Sequence, residues 1–136
     1  MSDWRDNLAE SNAELAAILA DTKRIAVLGI KTEAQRGQPA FYVPEYMAKA
    51  GYEIVPVPVY YPDVVEILGE PVYRTLAEIP EPVDMVNVFR RPRDIPPHLP
   101  DLLASKPRVV WMQLGISHDT VAEALARAGI KVVQDR

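Results

Sequence analysis

Short apolar runs separated by helix-like or polar segments set the tightest limit on how this chain can fold. They are "KRIAVLG" at 23–29, "YEIVPVPVY" at 52–60, "VDMVNVFR" at 83–90, "PRVVWMQLG" at 107–115 and "IKVVQD" at 130–135. Such runs are too short for helices, and each is bounded by turn residues, so they read as strands covered on both faces. Helical spacing fills much of the remainder. Leu8, Leu15, Ile18 and Leu19 share a face, as do Tyr42, Val43, Tyr46 and Met47, and then Val121, Leu125 and Ala128. Strands that alternate with helices imply right-handed crossovers. The expected fold is therefore α/β, a doubly wound, mainly parallel sheet of five or six strands with helices on both faces.

The punctuation refines this scheme. Residues 1–20 read as one amphipathic helix capping the sheet, and residues 23–136 as the core of a single domain. A chain of 136 residues with 49% hydrophobic and 25% charged residues suits one such core. Pro44 requires its helix to begin no earlier than about Phe41, and Gly51 stops it. Pro56 and Pro58 belong at the end of the second strand, because proline cannot donate to a ladder. "PVYRTLAEIP" reads as a short edge strand and a helical turn, with Thr75 and Glu78 at capping-box spacing. Ser117 or Asp119 caps the last helix and Gly129 ends it.

Composition excludes several functions. Without cysteine there is no disulfide, thiolate metal site or cysteine nucleophile. His98 and His118 have neither the spacing of a metal site nor a convincing serine partner, so no catalytic or metal residues are assigned. The acidic, polar start "MSDWRDNLAE" does not resemble a signal peptide, and no apolar run approaches the roughly 20 residues of a membrane span. The expectation is a cytoplasmic protein. A net charge of −4 argues against nucleic acid as a partner.

In a doubly wound sheet, ligands lie beyond the carboxyl ends of the strands. The loops to examine follow Leu28, Val55, Val88 and Gln113. After the first strand, Gly29 and Gly37 match neither G-x-G-x-x-G nor a phosphate loop, but Gly29 lets backbone approach a phosphate while Lys31, Thr32 and Arg36 add charge and hydroxyl. Enzymes that use NAD usually place an acid at the end of the second strand, where this chain has Pro56-Val57-Pro58. That apolar edge suits the face of an adenine ring instead. "FRRPRD" at 89–94 brings three arginines to a strand end, with Arg90 nearest to it. Guanidinium groups there suit a polyanion. Gln113 ends another strand and can bond an amide.

These residues carry a likeness. "AVLGIKTEAQRGQPAFYV", "GYEIVPVPV", "ILGEPVYRTLAEIPEPVDMVNVFR" and "WMQLGISHDTVAEALARAGIKVVQDR" together resemble the small stand-alone CoA-binding proteins, similar in turn to the CoA-binding domain of the succinyl-CoA synthetase alpha subunit. The resemblance covers the chain from Lys23 onward. It implies a Rossmann-like domain holding coenzyme A or an acyl-CoA, with the pyrophosphate over Gly29, Ile30, Lys31 and Thr32 and the adenine toward Pro56, Val57 and Pro58. Val88, Phe89, Arg90, Gln113, Leu114 and Gly115 would line the remaining cleft. It implies binding without ligase activity. A domain that binds NAD or another adenine nucleotide is the alternative reading.

Overall fold

The computed structural model describes residues 3–136. Its strands are β1 (Arg24–Leu28), β2 (Glu53–Val57), β3 (Glu66–Ile67), β4 (Glu70–Pro71), β5 (Met85–Val88), β6 (Val109–Met112) and β7 (Lys131–Val133). The five longer ones form a parallel sheet in the order β2-β1-β5-β6-β7. Its helices are α1 (Asn12–Asp21), α2 (Pro39–Lys49), α3 (Leu99–Ser105) and α4 (Asp119–Arg127). The chain is a single Rossmann-like α/β domain. Among the described residues, no helix is long and apolar enough to cross a membrane.

Two apolar layers explain why the strands are continuously hydrophobic. Ile25, Val27, Ile54, Met85 and Trp111 face Leu15 and Ile18 of α1 and Phe41 of α2. Their chain neighbours Ala26, Leu28, Val55, Val86, Val110 and Met112 face Leu102 of α3 and Val121, Leu125 and Ala126 of α4. Successive side chains point to opposite faces, so a sheet covered twice needs apolar residues at every position. Each Val, Leu, Ile, Met or Phe among them contributes about 1.5–3 kcal/mol when fully buried.

Local chemistry moves several boundaries away from expectation. The first helix is split. A 3-10 turn, Trp4–Asn7, precedes α1, and Leu8 instead makes a bridge to Val132 at the β7 edge. The split follows from Ser11, whose hydroxyl accepts the Glu14 N–H at 3.1 Å while the Glu14 carboxylate accepts the Ser11 N–H at 3.3 Å. This capping box fixes the start of α1 after Ser11. Helix α4 is capped by neither Ser117 nor Asp119, because His118 Nδ1 accepts the Val121 N–H at 3.2 Å. Ala128 is exposed, and Ala122 and Ala126 take the inward positions. Helix α3, which begins at Leu99 inside the proline-rich stretch "IPPHLP", is absent from the expected elements.

Proline placement has two further explanations. Helix α2 begins at Pro39, two residues before the earliest start expected from Pro44. Pro44 cannot supply the N–H that the Ala40 carbonyl would accept in a regular helix. The Lys31 N–H supplies it instead, at 3.1 Å, and so ties the β1–α2 loop to the helix. Pro56 lies inside β2, whereas it was expected at the strand's end. Since β2 is an edge strand and the Pro56 carbonyl faces outward to accept the Tyr73 N–H at 3.0 Å, its nitrogen also faces away from β1. No β1–β2 bond is lost.

Gly29 closes the arrangement. It follows β1 with φ +88°, and a β-carbon there would lie 2.3 Å from the Phe89 carbonyl oxygen. Backbone strain and a clash with backbone therefore coincide. Gly29→Ala is expected to destabilise the fold by more than about 2 kcal/mol, read as a lower urea midpoint at unchanged slope. A loss under about 0.5 kcal/mol would show that the two strand ends separate freely.

Candidate functional site

Strand order reverses between β1 and β5, since the chain steps from β1 outward to β2 and then returns to β1's other side. At such a reversal the following loops diverge and leave a crevice. Two adjoining clefts occupy it. The larger, about 530 Å³, lies between the start of α2 and the loops after β5 and β6. The smaller, about 300 Å³, is lined by Gly29, Lys31, Tyr60, Phe89, Arg90 and Arg91. Lys31, Phe89, Arg90 and Arg91 line both, so three cations stand where the clefts meet.

Arg90 is the most constrained of these. Its Nε–H donates to His98 Nε2 at 3.2 Å, its Nη1 donates to the Tyr60 hydroxyl at 3.4 Å, and its guanidinium lies 5.6 Å from the Tyr60 ring centroid. Burial first, and then the Arg90 charge, hold the His98 imidazole below its ordinary value of 6.5. It is thereby kept as the neutral acceptor that this bond requires. The Arg90 hydrogen bond, followed by its charge, lowers the Tyr60 phenol from its ordinary 10.0. Arg91 is freer, because its side chain is exposed and its Nε donates to Asp94 at 3.0 Å.

Backbone donors contribute less than the glycine suggested. The Gly29 N–H bonds the Val57 carbonyl at 2.9 Å, the Lys31 N–H bonds Ala40, and the Thr32 N–H bonds Gln35 Oε1 at 3.0 Å. These amides are spent inside the protein. An anion in this crevice cannot use these three amides, and Lys31, Arg90 and Arg91 are the side-chain cations within its reach.

The loop after β6 is a turn in which the Ile116 N–H donates to the Gln113 carbonyl at 2.8 Å and Gly115 adopts φ +82°. Asp135 Oδ1 accepts the Gly115 N–H at 2.5 Å and fixes the turn from the far end of the chain. Gln113 Nε2 donates to Asn87 Oδ1, which satisfies a buried amide on β5.

Residues 23–136 match the model of a family described as a CoA binding domain. The chain belongs to that family. It is 37% identical over 125 residues to the uncharacterized protein YneT of Bacillus subtilis (strain 168), covering 92% of this chain and 89% of that one. A solved structure of cell-free ID.343 from Thermus thermophilus is 42% identical with a TM-score of 0.84, covering 93% of this chain and 92% of the other. A hypothetical protein from Pyrococcus horikoshii OT3 is 25% identical with a TM-score of 0.83, covering 94% and 87%.

In this CoA-binding domain the anticipated residues separate into two groups. Gly29, Lys31, Phe89, Arg90, Gln113, Leu114 and Gly115 line the clefts. Ile30, Val57 and Val88 are buried beneath them, and Pro56 and Pro58 are buried too. Thr32 is buried, its hydroxyl donating to Gln35 Oε1 at 2.7 Å, and Arg36 is exposed with its Nε donating to the Glu33 carbonyl at 3.0 Å. Sequence reasoning missed Tyr60, the α2 residues Gln38, Pro39, Tyr42 and Val43, and Ile116. Tyr60 carried a signal, since it follows the end of β2 closely and aromatic side chains commonly line ligand pockets.

A third cleft, of about 410 Å³, lies at the opposite ends of the strands. Glu14, Asp21 and Asp84 line it with Arg108 and Lys131, so its charges nearly balance. Among the described residues, no group of three or more His, Asp or Glu is arranged to hold a metal.

The lowered His98 value has a stability consequence. The unfolded chain binds more protons than the folded one between the folded value and 6.5, so stability rises with pH across that window. His98's contribution is present above about 6.5 and is lost as pH falls toward the folded value. Urea midpoints from about pH 7.5 to about pH 5.5 should fall more for the parent than for His98→Gln. Parallel curves would show that His98 titrates as in the unfolded chain.

Proposed function

We propose that this CoA-binding domain holds coenzyme A or an acyl-CoA without catalysing a reaction on it. The observation that carries this reading is the convergence of Lys31, Arg90 and Arg91 at the β1–β5 crevice, beside a groove of mainly apolar side chains, in a chain of net charge −4. Coenzyme A presents phosphates at one end and a flexible, weakly polar arm at the other. The pyrophosphate lies over Gly29 to Thr32, with charge from Lys31 and Arg90. Because Pro56, Val57 and Pro58 are buried, the exposed ring of Tyr60 offers the adenine its face at that strand end. The arm follows Phe89 and Arg90 toward Gln113, Leu114 and Gly115.

Binding alone suits the chemistry present. His98 is engaged with Arg90, and His118 caps α4. Such a domain stores or presents its ligand in the cytoplasm, and any chemistry belongs to a partner. NAD is disfavoured because the second strand's carboxyl end has no acid. Glu53 stands at the other end of β2, where its Oε1 lies 3.3 Å from Arg24 Nε.

Calorimetric titration at fixed salt tests the reading. CoA should bind more tightly than NAD, and Arg90→Ala should weaken CoA about ten- to a hundredfold, as expected for a hydrogen bond to a charged group. Arg91→Ala should cost at most about fivefold, since its side chain is exposed and shared with Asp94. Equal or tighter NAD binding, or an Arg90→Ala protein that folds and binds CoA like the parent, would overturn it.

A further inference from the structure

We infer that the larger cleft is built for an acyl thioester of the coenzyme, carrying an apolar acyl group of several carbons, in preference to the free thiol. This rests on the CoA reading above and adds what lies at the ligand's far end. The charged side chains lining the larger cleft are Lys31, Arg90 and Arg91, and all three also line the neighbouring one. Charge is therefore concentrated where the two clefts meet. Away from that junction the lining includes Tyr42, Val43, Leu114 and Ile116.

Leu114 is the informative residue. It is 78% exposed, and Tyr42 across the cleft is 47% exposed. Its position is not left to a loose loop, because the Gln113–Ile116 bond, the positive φ of Gly115 and the Asp135 carboxylate hold the turn. Apolar surface held rigidly in water gains only when something covers it. Continuity with a cationic crevice selects a ligand with an anionic head and an apolar end. A free thiol ends the arm without supplying that surface, and the chain has no cysteine with which a thiol could form a disulfide. Gln113, whose side-chain amide donates to Asn87, is already engaged within the protein. The far end is thus suited to a hydrocarbon more than to a charged acyl group.

The test is a calorimetric series with CoA, acetyl-CoA, butanoyl-CoA and hexanoyl-CoA, on the parent and on Leu114→Ser, with thermal unfolding as the fold control. Affinity should rise along the series by up to about fourfold for each methylene buried, and the hexanoyl-to-CoA ratio should fall several-fold in the folded Leu114→Ser protein. Equal affinities for all four ligands would overturn this inference and leave CoA binding standing. An unchanged ratio in Leu114→Ser would overturn it as well. Failure of all four to bind would remove the CoA reading itself. Sedimentation of the ligand-free protein as a dimer that Leu114→Ser dissociates would assign the surface to a second copy and overturn the inference.

Discussion

The Phe89 carbonyl occupies the space into which any side chain on Gly29 would project, and this close approach sets the geometry of the crevice. It holds the carboxyl ends of β1 and β5 together at the point where strand order reverses. The Gly29 N–H completes the ladder to β2 through Val57, and the Phe89 N–H bonds the Leu28 carbonyl at 2.9 Å. Three strand ends are thus locked by one residue that must lack a β-carbon. Lys31 and Arg90 leave that locked region within a few residues of it, so their cationic ends are placed by sheet geometry rather than by long mobile loops.

Two connections then tie side-chain chemistry to this frame. Pro44 leaves the Ala40 carbonyl without its helical donor, and the Lys31 N–H takes the place. A defect in α2 becomes a docking point for the β1–α2 loop. Arg90 is held in turn by His98, brought into reach by the 3-10 turns Pro92–Asp94 and Pro96–His98 that precede α3. These contacts reduce the conformational freedom that binding would otherwise have to remove.

The sheet was legible in the sequence because burial on both faces leaves an unbroken apolar run. The runs containing Ile25 to Leu28, Met85 to Val88 and Val109 to Met112 coincide with β1, β5 and β6. The β3–β4 hairpin was not legible. Its strands have two residues each, and its form depends on positive φ at Leu68 and Gly69, the signature of a type I′ turn. The Lys31–Ala40 bond could not be read either, since proline's effect on a helix depends on whether another donor arrives. Arg90 and Leu114 were recognisable as residues adjoining strand ends. Their supports were not, because Tyr60 reaches Arg90 from another loop and Asp135 reaches Gly115 from the last strand's far side.

We propose that coenzyme A occupies the β1–β5 crevice and not the cleft at the opposite ends of the strands, where acidic and basic side chains nearly balance. Amide chemical-shift mapping during a CoA titration tests it most directly. Changes should concentrate at Lys31, Tyr60, Phe89 to Arg91 and Leu114 to Ile116, with Asp84, Arg108 and Lys131 unmoved. Changes centred on Asp84, Arg108 and Lys131, with the crevice silent, would contradict it.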